Sequence, residues 1–309
     1  MKLGFFGSSE LTRACITAAI GAGFTPDFVV SQPDRKKDRH GGIVALPVSD
    51  FARTHGMEIF SPEDINAPEA AERIRSYRPD VVIVVAYGQL LTQQILDIPR
   101  TVMVNIHGSL LPKYRGASPI ERSLLNGDTS TGVTLQKVVR RMDAGDIIST
   151  RSIDIDAEWG YAELFDAVSR ASALLTAEFL SDVEGHCARA HAQDENEASY
   201  CYKISKSDGH IDWNEDAGAI VNKVRAYSHW PVAFTTLRGK MLRIFRASAG
   251  ESLDNMPAGS IIELSAAGIK VNAGGGSVLL SDMQWEGRKR QSAKDFLNGA
   301  RLSKGEILG

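Results

Sequence analysis

The amino-terminal part of the chain alternates short apolar runs with stretches whose apolar positions recur at helical spacing, the pattern of a largely parallel sheet fed by helices. Strands are expected at residues 3–6, 28–31, 57–60, 81–86, 102–107, 133–139 and 147–151. Helices should fill the gaps. One covers 11–22, with Ser9 as its N-cap and Gly23 as its stop; others cover 48–55 after Pro47, and 68–77 before Pro79. A longer one covers 161–183, where Leu164, Phe165, Val168, Leu174, Leu175 and Phe179 mark an apolar face.

Residues 184–202 lose this periodicity and gather polar side chains, which marks a connection between domains. Beyond it the pattern changes. One helix is expected at 217–227, followed by short strands at 233–237, 242–245, 260–264, 269–272 and 278–283, broken by glycines. Strands of that length and spacing suggest a small β-barrel. The expected architecture is therefore a Rossmann-like α/β domain over 1–185, with a mostly parallel sheet and helices on both faces, a linker over 186–203, and an OB-like β-barrel domain over 204–309.

At 309 residues, 43% hydrophobic and 24% charged, the chain has the length and composition of two ordinary globular domains. Its longest apolar run, 81–86, is far short of a bilayer span, and the start reads as a strand rather than a leader, so a cytoplasmic protein is expected. Three scattered cysteines, Cys15, Cys187 and Cys201, fit neither a disulfide framework nor a zinc site. The formal charge of −3 advertises no nucleic-acid binder. It is uneven, however: from Ile204 onward 14 Lys and Arg stand against 11 Asp and Glu, a net +3, which leaves −6 on the preceding residues.

The chemistry concentrates where the strand at 102–107 ends, in Asn105-Ile106-His107-Gly108-Ser109-Leu110-Leu111-Pro112. Side chains alternate along a strand, so Asn105 and His107 project from one face at its carboxyl end, where open α/β sheets bind ligands. Taken alone, the pair also suits a structural cap on the sheet edge. Gly4-Phe5-Phe6-Gly7 lacks the spacing of a dinucleotide-binding turn, which argues against a dehydrogenase. The histidines show no metal-ligand spacing, and no metal is expected.

The segment 105–120 resembles the signature of the folate-dependent formyltransferases, N-x-H-x-S-L-L-P, and Met142-Asp143-Ala144-Gly145 resembles that family's downstream aspartate motif. Ser31-Gln32-Pro33-Asp34-Arg35, Val85-Ala86-Tyr87-Gly88-Gln89, Arg115-Gly116-Ala117-Ser118-Pro119-Ile120, Lys203-Ile204-Ser205-Lys206, Ile211-Asp212-Trp213, Trp230-Pro231 and the block 292–299 extend the resemblance over nearly the whole chain. They are similar to the branch of the family whose acceptor is initiator methionyl-tRNA.

The resemblance implies formyl transfer from 10-formyltetrahydrofolate, with Asn105, His107 and Asp143 as catalytic residues. Acyl transfer builds negative charge on the former carbonyl oxygen, and an amide and an imidazole are suited to meet it. Asp143 is expected to orient and support His107, since a carboxylate of ordinary pKa, about 4, is a poor base alone. Folate should contact Ser109, Leu110, Leu111 and Pro112 and the loop of Ala86, Tyr87 and Gly88, largely through the main chain.

For tRNA the resemblance points to the basic loop holding Arg35, Lys36, Lys37 and Arg39, together with Lys206 and Arg243. The usual P-A-G-R-G-K-K-L of that loop is replaced by Lys36-Lys37-Asp38-Arg39-His40-Gly41-Gly42-Ile43, which moves the cations earlier. No obligate protein partner is expected. Two rival readings are a formyltransferase acting on a nucleotide-linked amino sugar, which shares the Asn105–Gly116 pattern, and a non-catalytic RNA-binding protein on the same scaffold.

Overall fold

The computed structural model describes residues 1–36, 43–251 and 255–309. In chain order the first elements are β1 (Leu3–Phe6), α1 (Glu10–Gly21), β2 (Phe28–Val30), β3 (Arg35–Lys36), β4 (Ile43–Val44), α2 (Pro47–Thr54), β5 (Glu58–Phe60), α3 (Pro68–Tyr77) and β6 (Val81–Val85). There follow α4 (Gln93–Leu96), β7 (Val102–His107), β8 (Arg115–Gly116), α5 (Pro119–Leu125), β9 (Ser130–Lys137), β10 (Ile147–Asp154), α6 (Tyr161–Ser181), α7 (Val183–Ala188) and β11 (Tyr200–Cys201). The remainder comprises α8 (Ala217–Ala226), β12 (Ala233–Leu237), β13 (Lys240–Gly250), β14 (Ile261–Ser265), β15 (Gly268–Ala273), β16 (Gly276–Trp285), β17 (Gln291–Ser292) and α9 (Ala293–Ala300).

Two compact units result. The first takes residues 1–119, 131–154 and 166–201; the second takes 120–130, 155–165 and 202–309. Residues 186–203, expected as a linker, hold the end of α7, a 3-10 turn at Glu195–Glu197, and β11, which pairs in parallel with β8.

The first unit is built on a seven-stranded sheet in the order β10-β9-β7-β6-β1-β2-β5. The pairs β7–β6, β6–β1, β1–β2 and β2–β5 are parallel, and β9 runs antiparallel to β7. From β1 the chain steps outward to β2 and β5, then returns to place β6 on the other side of β1. Such a reversal opens a crevice at the carboxyl ends of the strands. The sheet is held by an apolar cluster of Phe6, Phe28, Val30, Ile65, Ile74 and Val82. Ser9 caps α1 through a reciprocal pair with Thr12, and Thr12 Oγ1 also donates to the carbonyl of Val85 at 2.7 Å, tying the first turn of α1 to the end of β6.

The second unit centres on a six-stranded antiparallel sheet, β12-β13-β16-β15-β14, with β17 beside β16. Its core includes Trp213, Ile220, Val224, Leu242, Ile244, Val271, Leu280 and Phe296. Asp216 caps α8 and Ser292 caps α9 with side-chain acceptors for the unpaired first-turn N–H groups. No helix among the described residues is long and apolar enough to cross a membrane.

Candidate active site

Strand β7 is paired on both sides, and its alternation buries Val104 and Ile106 while Asn105 and His107 share the other face. Opposite them on β9 stand Gln136, in register with Asn105, and Thr134, in register with His107. Cross-strand partners project on the same side, so four polar side chains gather at the end of β7. Thr134 then fixes the loop that follows: its hydroxyl donates to the carbonyl of Ser109 at 2.7 Å and accepts the N–H of Leu111 at 3.0 Å.

Asp143 comes from the turn between β9 and β10. That turn is closed tightly, for a Cβ on Gly145 would lie 1.8 Å from the carbonyl oxygen of Lys137. Asp143 itself adopts a left-handed backbone conformation, φ 49°. Its Oδ1 accepts from Nε2 of Gln136 at 2.9 Å and its Oδ2 from the N–H of Gly116 at 2.8 Å. The same Oδ2 stands 3.7 Å from Nδ1 of His107, a ring that is almost wholly buried.

The other ring nitrogen, Nε2, lies 2.8 Å from the carbonyl oxygen of Tyr114. A carbonyl only accepts, so Nε2 carries the hydrogen and Nδ1 is the basic atom of the neutral ring. A proton arriving on Nδ1 is met by the Asp143 carboxylate. Asn105 differs from its neighbours: its half-buried amide has no hydrogen-bond partner among the described residues. It is the one uncommitted donor of the group.

The three expected catalytic residues are thus brought together. The expected folate contacts divide. Ser109 is buried with its hydroxyl on the carbonyl of Lys113, and the carbonyls of Leu110 and Pro112 accept from Lys113 and Ser199. Leu111 supplies an apolar side chain. Ala86 and Gly88 lie exposed on the turn after β6, with positive φ of 47° and 83°, whereas Tyr87 is sunk in the core against Phe6, and Gln32 Nε2 occupies its carbonyl at 2.7 Å. Its phenol is core filling, and burial raises its pKa.

Among the expected tRNA contacts, Arg35 and Lys36 form β3, while Lys37 and Arg39 lie outside the described residues. Lys206 is exposed in a 3-10 turn, and Arg243 projects from β13 without an ion pair among the described residues. Nearby Arg238 and Arg290 are engaged, the first by two hydrogen bonds to Glu306 at 2.7 Å, the second by Asp282 and the ring of Phe245.

Sequence reasoning missed the support behind Asp143. Arg115 is fully buried, and its guanidinium donates to Gln193 Oε1 at 3.0 and 2.8 Å and to Glu195 at 2.9 and 3.1 Å. That hydrogen bond from Arg115 holds the Glu195 carboxyl below the usual glutamate range. Gln193, Glu195 and Ser199 sit in the aperiodic stretch 184–202, whose polar composition carries no apolar period.

Residues 1–180 match the formyl transferase family, and residues 203–301 match the formyl transferase C-terminal domain. A methionyl-tRNA formyltransferase of Methylococcus capsulatus is 39% identical over all of both chains, and one of Geobacter metallireducens is 39% identical over 99% of this chain and 97% of its own. The fold is shared with an N-formyltransferase of Helicobacter canadensis solved with folinic acid and dTDP-3-aminofucose: TM-score 0.68, 16% identity, 91% of this chain and 98% of that one. HypX of Aquifex aeolicus, solved with tetrahydrofolic acid, aligns at TM-score 0.61 and 17% identity over 100% of this chain and 50% of its own. Two domain matches in order and end-to-end identity with several relatives leave one assignment: the chain belongs to the formyl transferase family.

Proposed function

We propose that the chain transfers the formyl group of 10-formyltetrahydrofolate to the amino group of methionine on initiator methionyl-tRNA. The observation that carries the reading is the convergence of the uncommitted Asn105 amide with the His107–Asp143 pair at the carboxyl end of β7. The full-length relatives named for this activity supply the acceptor.

In this reading the neutral amine attacks the formyl carbon, forming a new carbon–nitrogen bond while the carbonyl oxygen takes up negative charge. The Asn105 N–H meets that oxygen, a contribution typically worth about 3 kcal/mol of barrier. The amine's proton passes to Nδ1 of His107, where Asp143 stabilises the imidazolium. Collapse restores the carbonyl, breaks the bond to the folate nitrogen and returns the proton to that nitrogen.

The folate lies along the loops of 109–112 and 86–88, with Leu110, Leu111 and Pro112 as its apolar wall. Residues 1–185 carry the chemistry, and 204–309 form the tRNA platform through Lys206 and Arg243, with the basic loop of Arg35, Lys36, Lys37 and Arg39 at the acceptor end. The work is done in the cytoplasm, without metal.

The test is to supply purified protein and 10-formyltetrahydrofolate with either initiator methionyl-tRNA or nucleotide-linked amino sugars. Formylmethionyl-tRNA is the expected product. A formylated sugar with no reaction of the aminoacyl-tRNA would replace this reading with the sugar one.

A further inference from the structure

The reaction as derived leaves Arg115 and two glutamines without a part, although they form an unbroken chain to Asp143. Gln193 accepts Nε and Nη2 of Arg115 on its Oε1, which turns its Nε2 toward the carbonyls of Asp143, at 2.9 Å, and Gly145, at 2.7 Å. The same nitrogen reaches Oε1 of Gln136 at 3.3 Å, and Gln136 in turn donates to Asp143 Oδ1. Each amide's orientation is dictated by the group behind it.

We propose that Gln136 and Gln193 are positioning residues for formyl transfer, holding the backbone and the carboxylate of Asp143 so that Oδ2 stays opposite Nδ1 of His107. The proposal rests on the catalytic reading of Asp143 given above.

Two physical features favour it. Asp143 occupies a backbone region that side-chain-bearing residues rarely adopt, and Gln193 pins both its carbonyl and that of Gly145. The chemistry also explains why the holders are amides. A lysine or arginine bonded directly to Asp143 would neutralise the charge needed beside the imidazolium, whereas a glutamine fixes geometry and leaves that charge in place. The cation that anchors the chain, Arg115, is balanced by Glu195 instead. Elsewhere on this turn Lys137 pairs with Asp146, and Arg141 shares Glu195 with Arg115.

The experiment replaces Gln136→Met in the full chain and measures kcat, KM for each substrate, and the ring-nitrogen NMR resonances of His107 in histidine-labelled protein, beside Asp143→Asn as reference. Expected are a fall in kcat of about tenfold with both KM values unchanged, the effect of losing one hydrogen bond to a charged group, and a His107 Nδ1 resonance moved toward that of Asp143→Asn. If Gln136→Met does not fold, Gln193→Met is read by the same two criteria. A folded variant with wild-type kcat, or with His107 resonances unmoved, overturns the proposal. Near-normal turnover by Asp143→Asn itself would instead sink the catalytic reading on which it stands.

Discussion

The Nε2–H of His107 donates to the carbonyl oxygen of Tyr114 at 2.8 Å, and this single bond decides which ring nitrogen faces Asp143. Proton traffic is thereby confined to Nδ1. Replacing Asp143→Asn keeps the shape but removes the charge that receives an imidazolium, so kcat is expected to fall by about 10²–10⁴ with formyl-donor affinity unchanged. Single-turnover rates and donor titration check both halves of that statement.

Gly116 serves the site through its backbone. Its φ is 121°, its N–H binds Asp143, and an added Cβ would lie 2.1 Å from the carbonyl oxygen of Cys201. Gly116→Ala is expected to cost about 2 kcal/mol in urea unfolding and to lower kcat as well. Gly21→Ala, in the last turn of α1 with open space for the new methyl, is the control that should leave kcat unchanged and raise stability by about 0.5 kcal/mol.

The last residues of the chain return to β12 through a charge pair. The hydrogen bond from Arg238 holds the Glu306 carboxyl below its ordinary range. A depressed carboxylate stabilises the fold at pH values above its unfolded pKa, and that contribution disappears as pH falls through the folded one. The stability difference between wild type and Glu306→Gln should therefore be steady near neutrality and shrink below the ordinary glutamate value of 4.5. A difference that stays constant down to acid pH would contradict the assignment.

If the second unit is the tRNA platform, its uncommitted cations matter more than its paired ones. Arg243→Ala is expected to weaken tRNA binding and lower the salt slope by about one, while Arg238→Ala acts mainly on stability. Binding isotherms at several salt concentrations give the slopes. Affinity for the formyl donor should barely respond to salt.

Much of this was legible because it rests on periodicity. Alternation in β7 placed Asn105 and His107 on one face, a small polar residue marked the start of α1, and 233–237 emerged as β12 with the expected bounds. What escaped was too short or too polar to show a period. Strands β8 and β11 are two residues each and exist through tertiary pairing, and Gln193 and Glu195 are ordered by a buried arginine far away in sequence. Helix α9 is eight residues long, too short to show a period, with the Ser292 cap at its start and Ala293, Phe296 and Ala300 as its buried residues. Leu174, at helical spacing with the apolar face of α6, is half exposed, because spacing gives a direction around the axis and not the width of the contact.

The most direct measurement is single-turnover formyl transfer by Asn105→Ala, with donor binding measured on the same protein. Asn105 is the uncommitted donor beside the His107–Asp143 pair, so the account predicts a rate lower by about 10²–10³ at unchanged donor affinity. A near-normal rate would mean that the charge developing in the reaction is stabilised somewhere else.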